Sequence, residues 1–372
     1  MFNLHVIQAK NGDCFILEFG SSDKSKYILI DGGPSGVYED SLRKVLSEIK
    51  KKSDKLELVI LSHIDDDHII GLLDLLEERY IDKREGTSNI IKCKDIWFNS
   101  FRDAYEINKD DESDINTCID NINRILEKEM EKKTRSYRLG TKLSELSSEK
   151  ELNLRVNKHF DYKAVTCENI SLPTKFGNLE LKIIGPNNDS VQKLRTKWLK
   201  WMKDDCLKLK IRAADKKEAI KADASKPNLS SIMILAKADN KKILLTGDGL
   251  GKHIIEGLKQ NNLLGEDEKF FVDVLKIPHH GSNKNVDAAF FETVIADNYV
   301  ISGDGSHHNP ELMTLEWIVN AAKNQNRKIK LYCTNRTDNI DKLIKKKKPV
   351  DHGYELIIMG EAVPSIVINL SD

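Results

Sequence analysis

Ser62-His63-Ile64-Asp65-Asp66-Asp67-His68 places two imidazoles and three carboxylates within six residues. Mixed nitrogen and oxygen donors of this kind suit borderline or hard divalent cations. With no cation between them, three adjacent carboxylates repel one another. A solvated acidic loop is the plain alternative for such a run. Its position argues otherwise: the apolar run Leu56–Leu61 ends here and a helical pattern, Ile69–Tyr80, begins. At that turn the side chains of 63, 65, 67 and 68 can converge.

Three further strand ends carry the same residue types. Leu244-Leu245-Thr246-Gly247-Asp248 presents one carboxylate, which in isolation would equally well cap a helix. Gly247, Gly251 and Lys252 fall one residue short of a phosphate-loop spacing, and His253 stands where that loop needs Ser or Thr, so nucleotide binding of that type is set aside. Lys276-Ile277-Pro278-His279-His280-Gly281-Ser282 and Gly303-Asp304-Gly305-Ser306-His307-His308-Asn309-Pro310 each end a strand in paired histidines. Six of the ten histidines therefore lie at three strand ends. Open α/β sheets bind ligands along that edge, and the four clusters together argue for one metal site.

The elements that must position these residues follow from periodicity. Asn3–Gln8, Cys14–Phe19, Tyr27–Ile30, Leu56–Leu61 and Asp95–Asn99 read as strands, and Ser41–Lys51 and Ile69–Tyr80 as helices. After residue 228, strands at Ser231–Ala236, Lys242–Leu245, Val272–Ile277, Tyr299–Ser302, Lys330–Cys333, Tyr354–Met359 and Pro364–Leu370 resume. Helices are expected at His253–Leu264, Val286–Ile295 and Glu311–Lys323. Between the two halves, residues 101–226 are charged and largely helical, with strands expected at Leu179–Ile184 and Ala164–Val165. That stretch reads as an elaboration within a single domain spanning residues 1–372.

Composition bounds the rest. With 372 residues and 40% hydrophobic content the chain can build a large core, which excludes global disorder. The 59 basic residues cancel the 59 acidic ones, so no whole-chain positive field exists. Charge is nonetheless segregated. Residues 191–226 hold twelve basic and five acidic side chains, residues 323–348 ten and two, and residues 101–130 four and nine. Leu194, Trp198, Trp201, Met202, Cys206 and Leu209 recur at helical spacing among seven basic residues from Lys193 to Lys210. This pattern fits a helix packed on the core by its aromatic face, with a basic outer face available to nucleic acid. The run Lys345-Lys346-Lys347-Lys348 is either a solvated loop or a phosphate contact. No apolar run approaches the roughly 20 residues of a membrane span. The first residues do not form a signal peptide, and the six scattered cysteines contain no CxxC pair, so a reduced cytoplasmic protein is expected.

The motifs together resemble the metallo-β-lactamase fold superfamily. Its H-x-H-x-D-H signature stands here as His63-Ile64-Asp65-Asp66-Asp67-His68, with Asp65 in place of the second histidine. The N-G-D-C-F-I-L and I-L-I-D-G-G segments, L-L-T-G-D and P-H-H-G-S look most like the soluble lactamase-like domain of competence-type DNA-uptake proteins. The resemblance covers roughly residues 1–100 and 228–372. It implies an αββα sandwich with a metal pair at one sheet edge. His63 and Asp65 would hold the first ion. Asp67, His68 and His307, preferred over His308, would hold the second, with Asp248 bridging and Asp31 orienting a ligand histidine. The family's third-motif histidine has no counterpart before Asp248, where Asn228-Leu229-Ser230-Ser231 stands, unless His280 supplies that ligand. Asp65 hardens the donor set, which favours Mn²⁺ or Mg²⁺ beside Zn²⁺.

The implied activity is metal-dependent hydrolysis, with a nuclease or phosphodiesterase first. Two divalent ions would activate water and polarise the substrate. Asp67 would hold the nucleophile in line, and His280 or His307 would protonate the leaving group. A hydrolase of a small molecule (a cyclic nucleotide, thioester or amide) and a non-catalytic partner-binding component are the other two readings.

Overall fold

The computed structural model describes residues 1–99, 132–170, 172–193, 196, 230–265, 268–360 and 362–371. The expected Leu194–Leu209 helix and the acidic 101–130 stretch lie outside the described residues. Strands β1 (Phe2–Ile7), β2 (Phe15–Ser21), β3 (Lys24–Ile30), β4 (Lys55–Leu56), β5 (Leu58–Ile60), β6 (Lys92–Cys93), β7 (Asp95–Trp97) and β8 (Arg155–Val156) come first. They are followed by β9 (Thr174–Phe176), β10 (Leu179–Gly185), β11 (Met233–Ala238), β12 (Lys241–Leu245), β13 (Phe270–Lys276), β14 (Val294–Ile301), β15 (Ile329–Cys333), β16 (Tyr354–Ile358) and β17 (Ser365–Asn369). One sheet has the order β17-β1-β2-β3-β5-β7-β8, the other β16-β15-β14-β13-β12-β11-β10-β9, and β4 pairs with β6.

Strand alternation sorts the apolar side chains into three layers. Leu4, Val6, Ile28, Ile30, Leu58 and Ile60 face Ile234, Ala236, Ile243, Leu245 and Val274 between the sheets. Their neighbours Ile7, Leu29 and Val59 point the other way. There they pack under α1 (Arg43–Lys50) and α2 (Asp66–Glu85). On the far side Leu235, Leu244, Leu275 and Leu331 are covered by α4 (Gly251–Gln260), α5 (Ala288–Thr293), α6 (Leu312–Asn324) and α7 (Asp338–Lys346), α3 (Lys132–Ser147) having been placed on α2. Each fully buried aliphatic or aromatic side chain contributes about 1.5–3 kcal/mol, so the three layers dominate stability. This is the αββα sandwich of the sequence reading.

Several boundaries differ from that reading. Leu56–Leu61 is two strands, because Glu57 donates its N–H to the Tyr27 carbonyl at 2.8 Å and shifts pairing from β6 to β3. Ala164–Val165 is not a strand. The Asn99 side chain bonds both backbone groups of Val165 at 2.8 and 3.0 Å, substituting for a neighbouring strand. The helix read to Ile295 ends at Thr293, since buried Val294 and Ile295 enter β14 against Phe270 and Phe271. Helix α7 rises in a lysine-rich stretch where none was expected, capped by Thr337, whose hydroxyl accepts from the Ile340 N–H. β8, β9 and β10 lie inside residues 101–226 and pair into the two sheets. Among the described residues no helix is long and apolar enough to cross a membrane.

Candidate metal centre

β3 and β5 run parallel, so their C-terminal ends bring Asp31 and Ser62 side by side. Asp31 takes a left-handed φ of 58° and turns its carboxylate inward. It accepts from the Ser62 N–H at 2.6 Å and the Ser62 hydroxyl at 2.7 Å, and contacts His68 Nδ1 at 2.8 Å. Helix α2 starts at Asp66, three residues earlier than the periodicity indicated. Asp66, Asp67 and His68 therefore form its first turn, where the helix dipole favours carboxylates. The Asp31-Gly32-Gly33 turn seats this helix: a Cβ on Gly71 would lie 2.0 Å from the Gly32 carbonyl oxygen. A Cβ on Gly12 would likewise meet the Asp67 carbonyl at 1.9 Å, so the Asn11-Gly12-Asp13 turn closes directly over the ligand loop.

The second sheet supplies the facing half. β12 ends in Thr246-Gly247-Asp248 and β13 in the Pro278-His279-His280-Gly281 turn. His279 and His280 are consecutive left-handed residues with φ of 47° and 55°. Non-glycine residues pay about 1–3 kcal/mol for that conformation, which persists only where surroundings enforce it. Here it aims both imidazoles at Asp248.

Four rings converge on that one carboxylate. His63 Nε2 and His279 Nε2 lie 3.7 and 3.5 Å from its Oδ2, while His68 Nε2 and His280 Nε2 lie 3.5 and 3.6 Å from its Oδ1. Asp65 joins the first pair, 3.9 Å from His63 Nε2, and Asp67 the second, 3.5 Å from His280 Nε2. Each ring is oriented by its other nitrogen. His68 Nδ1 is bound to Asp31, His280 Nδ1 donates to the Ser302 carbonyl at 3.0 Å, and His279 Nδ1 donates to Asn285 Oδ1 at 2.8 Å. His63 Nδ1 meets the Ser62 and Ser231 hydroxyls at 3.1 and 3.4 Å. The Ser231 hydroxyl also accepts from the Asp248 N–H at 3.2 Å. From α3, the Ser136 hydroxyl donates to Asp65 at 3.0 Å.

The electrostatics match a cation-binding cluster. Burial pushes His63 down to about 3, helped by the neighbouring His68 charge, so its ring is neutral with a lone pair to give. Burial also opposes charge on Asp248, but His280, His279 and His68 outweigh it and hold the carboxyl well below its usual range. His280 goes up to about 9: burial resists, and Asp248 and Asp13 prevail. Four buried atoms, the Nε2 of His63, His68 and His280 and Oδ1 of Asp248, lack a hydrogen-bond partner. An unsatisfied buried polar atom costs about 1–3 kcal/mol, and here the four face one another. Divalent cations would satisfy them, and the residues fit that group. Asp67, His68, Asp248 and His280 bring ligand atoms within 4.8 Å of one another.

Residues 8–119 match the sequence pattern of the family described as the metallo-beta-lactamase superfamily. The fold is that of the metallo-beta-lactamase sandwich. Among curated proteins, none matches the chain. A solved structure described as that of a new diphosphatase from the PhnP family is similar with a TM-score of 0.41 at 10% identity, covering 100% of this chain and 98% of that one. The superfamily whose pattern residues 8–119 match comprises metal-dependent hydrolases, and the buried His/Asp cluster is a donor set that could hold divalent metal.

Of the residues singled out in the sequence, His63, Asp65, Asp67, His68, Asp248 and His280 share this centre. His307 does not enter the buried group: it is exposed, with φ of 56°, and lines a cleft of about 110 Å³ together with Asn11, Asp67, His279, His280 and Asp304. The second-sheet imidazoles of the cluster come from 279 and 280 because that turn follows β13, adjacent to β12 and Asp248. The 303–310 loop follows β14, one strand further out. Sequence reasoning counted His279 among the strand-end histidines of the metal site without giving it a ligand role, and it did not single out Ser231, Ser136, Asp13 or Lys276 as parts of the centre. The signal for Lys276 was present: a lone cation inside the apolar strand Val272–Ile277.

Proposed function

We propose that the chain is a metal-dependent phosphodiesterase that cleaves nucleic acid, using a pair of divalent ions. The observation that carries this is the division of Asp248, each oxygen facing its own donor set. Asp248 Oδ2 with His63, Asp65 and His279 would hold one ion, and Asp248 Oδ1 with Asp67, His68 and His280 the other. Such ions, when bound, supply Lewis acidity to the scissile group and lower the pKa of water. Three Asp and four His donors favour Mn²⁺ or Zn²⁺. The chain's own residues do the remaining work. Asp31, Ser302 and Asn285 fix the rings, so no reorganisation is needed on binding. His280 is committed at both nitrogens and serves as a ligand, which leaves His307, in the cleft wall, to deliver a proton to the leaving oxygen. Asp67 lines the same cleft and orients the attacking group.

The basic composition of segment 323–348, and of segment 191–226, most of which lies outside the described residues, would suit contact with a phosphate backbone. The Asp-for-His ligand loop is what supports affinity with the competence-type branch. A second reading, hydrolysis of a small phosphate ester such as a cyclic nucleotide, is favoured by the cleft volume of about 110 Å³. The deciding assay incubates manganese- or zinc-loaded protein with single- and double-stranded oligonucleotides and with a cyclic nucleotide. Cleavage of oligonucleotide, abolished by Asp67→Ala, is expected. Turnover of the cyclic nucleotide alone selects the second reading, and no turnover with either metal rejects both.

A further inference from the structure

A lysine ammonium lies inside the centre, where it cannot act as a metal donor. Lys276, the last residue of β13, is 1% exposed. Its ammonium pairs with Asp13, donates to the Gly247 carbonyl at 2.8 Å, and stops 3.8 Å short of Asp248 Oδ1. Asp13 continues the contact inward: Oδ1 lies 3.4 Å from His280 Nδ1, and Oδ2 lies 3.9 Å from His68 Nδ1. Asp13 is also 1% exposed, and its N–H bonds the Asp67 carbonyl at 3.2 Å. The Gly247 carbonyl that Lys276 holds also receives the His279 N–H at 3.1 Å. A single buried ion pair thus ties together the N-terminal turn, the T-G-D turn and the P-H-H-G turn.

The charges explain why an ammonium belongs here. Asp13, Asp31, Asp65, Asp67 and Asp248 bring five carboxylates into one centre. Two divalent ions with neutral imidazoles offset four of them, and Lys276 offsets the fifth. Left uncompensated, a buried charge is among the most costly features a fold can carry. The placement creates a hazard as well. Lys276 stands next to the oxygen that a metal ion needs, and Asp13 is what holds it away.

Resting on the metal-site reading above, we propose that Asp13 and Lys276 are a paired positioning device: Lys276 is a permanent cation of the centre, and Asp13 keeps it from competing with metal for Asp248 Oδ1. The alternative is a packing strut, in which each residue matters only for the shape it fills. The two differ in how the single substitutions combine.

Full-length wild type, Asp13→Asn, Lys276→Met and the double variant are titrated with Zn²⁺ against a chromophoric chelator, and melted in excess chelator. Asp13→Asn releases Lys276 toward Asp248, so zinc affinity falls about 10-fold or more. Adding Lys276→Met removes the competitor, and the double variant returns to within about 3-fold of wild type. In chelator, Lys276→Met melts lowest, because it leaves buried Asp13 without its ammonium partner, and the double variant melts above it. A double variant that binds zinc no better than Asp13→Asn, or that melts below Lys276→Met, overturns the proposal. Wild type that takes up no zinc rejects the metal-site reading instead, and the melting order in chelator then decides the ion pair by itself. Should Lys276→Met alone fail to accumulate as folded protein, recovery of folding in the double variant supports the proposal and its failure there overturns it.

Discussion

Asp248 does what a single residue can do to organise a centre: it offers two oxygens, and the fold surrounds each with two imidazoles and a further carboxylate. The positions of those rings depend on neighbours that never touch an ion. Asp31 is the clearest case, since it fixes His68 through Nδ1 and leaves Nε2 aimed at Asp248. Asp31→Asn keeps the shape but presents an amide where a charged acceptor stood. Metal affinity should fall about 10- to 100-fold in a chelator competition while the melting temperature in chelator stays close to wild type. An affinity equal to wild type would remove Asp31 from any orienting role. At this scale the sequence was legible where donor types cluster within a few positions, as in 63–68. It was not legible for Asp13 or Lys276, nor for the choice of His279 as a ligand, because each gains its meaning from a partner on another strand. Choosing between 280 and 307 required knowing that β13, not β14, is the neighbour of β12.

Elements hold those residues in register, and glycine contacts determine how closely they approach. Helix α2 sits on the Asp31 turn with the Gly71 Cα against the Gly32 carbonyl, a contact a methyl group cannot share at 2.0 Å. Gly71→Ala should cost about 1–3 kcal/mol by overpacking. Because α2 carries Asp67 and His68 in its first turn, metal affinity should drop with stability. A melt and a zinc titration check both, and loss of stability with unchanged affinity would uncouple helix from site. At the outer face of the first sheet, cross-strand neighbours on β1 to β3 gather His5, Asn3 and Tyr27 around Glu18, at 2.9, 2.9 and 2.8 Å. The His5 contact, then Asn3 and Tyr27, bring Glu18 down to about 2 against the opposing effect of burial. A carboxyl lowered on folding stabilises above its unfolded value of about 4.3 and loses that contribution as pH falls toward 2. Glu18→Gln should flatten the decline in melting temperature between pH 4.5 and 2 while lowering it at pH 7. An unaltered acid limb in the pH series would contradict this. Short β-rich and apolar runs located nearly every strand of both sheets, since strands buried on both faces read as near-continuous hydrophobic stretches. It failed where side chains replaced pairing, as at Asn99 and Val165, and where β-branched residues followed a helix, as at Val294.

At the scale of the molecule, the cancelled charge of the chain conceals a division of labour. In the sequence, basic residues concentrate in segments 191–226 and 323–348, whereas the centre gathers five carboxylates whose excess Lys276 and divalent cations would offset. The centre also lies across the main structural seam. His63, Asp65, Asp67 and His68 follow β5 of the first sheet, while Asp248, His279 and His280 follow β12 and β13 of the second, so an ion held by both sets would link the sheets at one edge of their common core. Loop-closing cross-links of this kind stabilise the native state by the binding free energy it alone enjoys. With free metal at about 100 times its dissociation constant, the gain is about 2.7 kcal/mol per site. For a chain of this size that amounts to a few degrees in melting temperature, by extension of the roughly 2–4 °C per kcal/mol seen in domains of 150–250 residues. Chelation should therefore lower the melting temperature by at least that much, and zinc or manganese should restore it. Amide exchange should rise on stripping in both halves of the seam, at residues 61–68 and at 246–248 with 277–281, because the cross-link acts on both sheets at once. Exchange that rises on one side alone would mean that the ion belongs to one sheet and that Asp248 does not bridge.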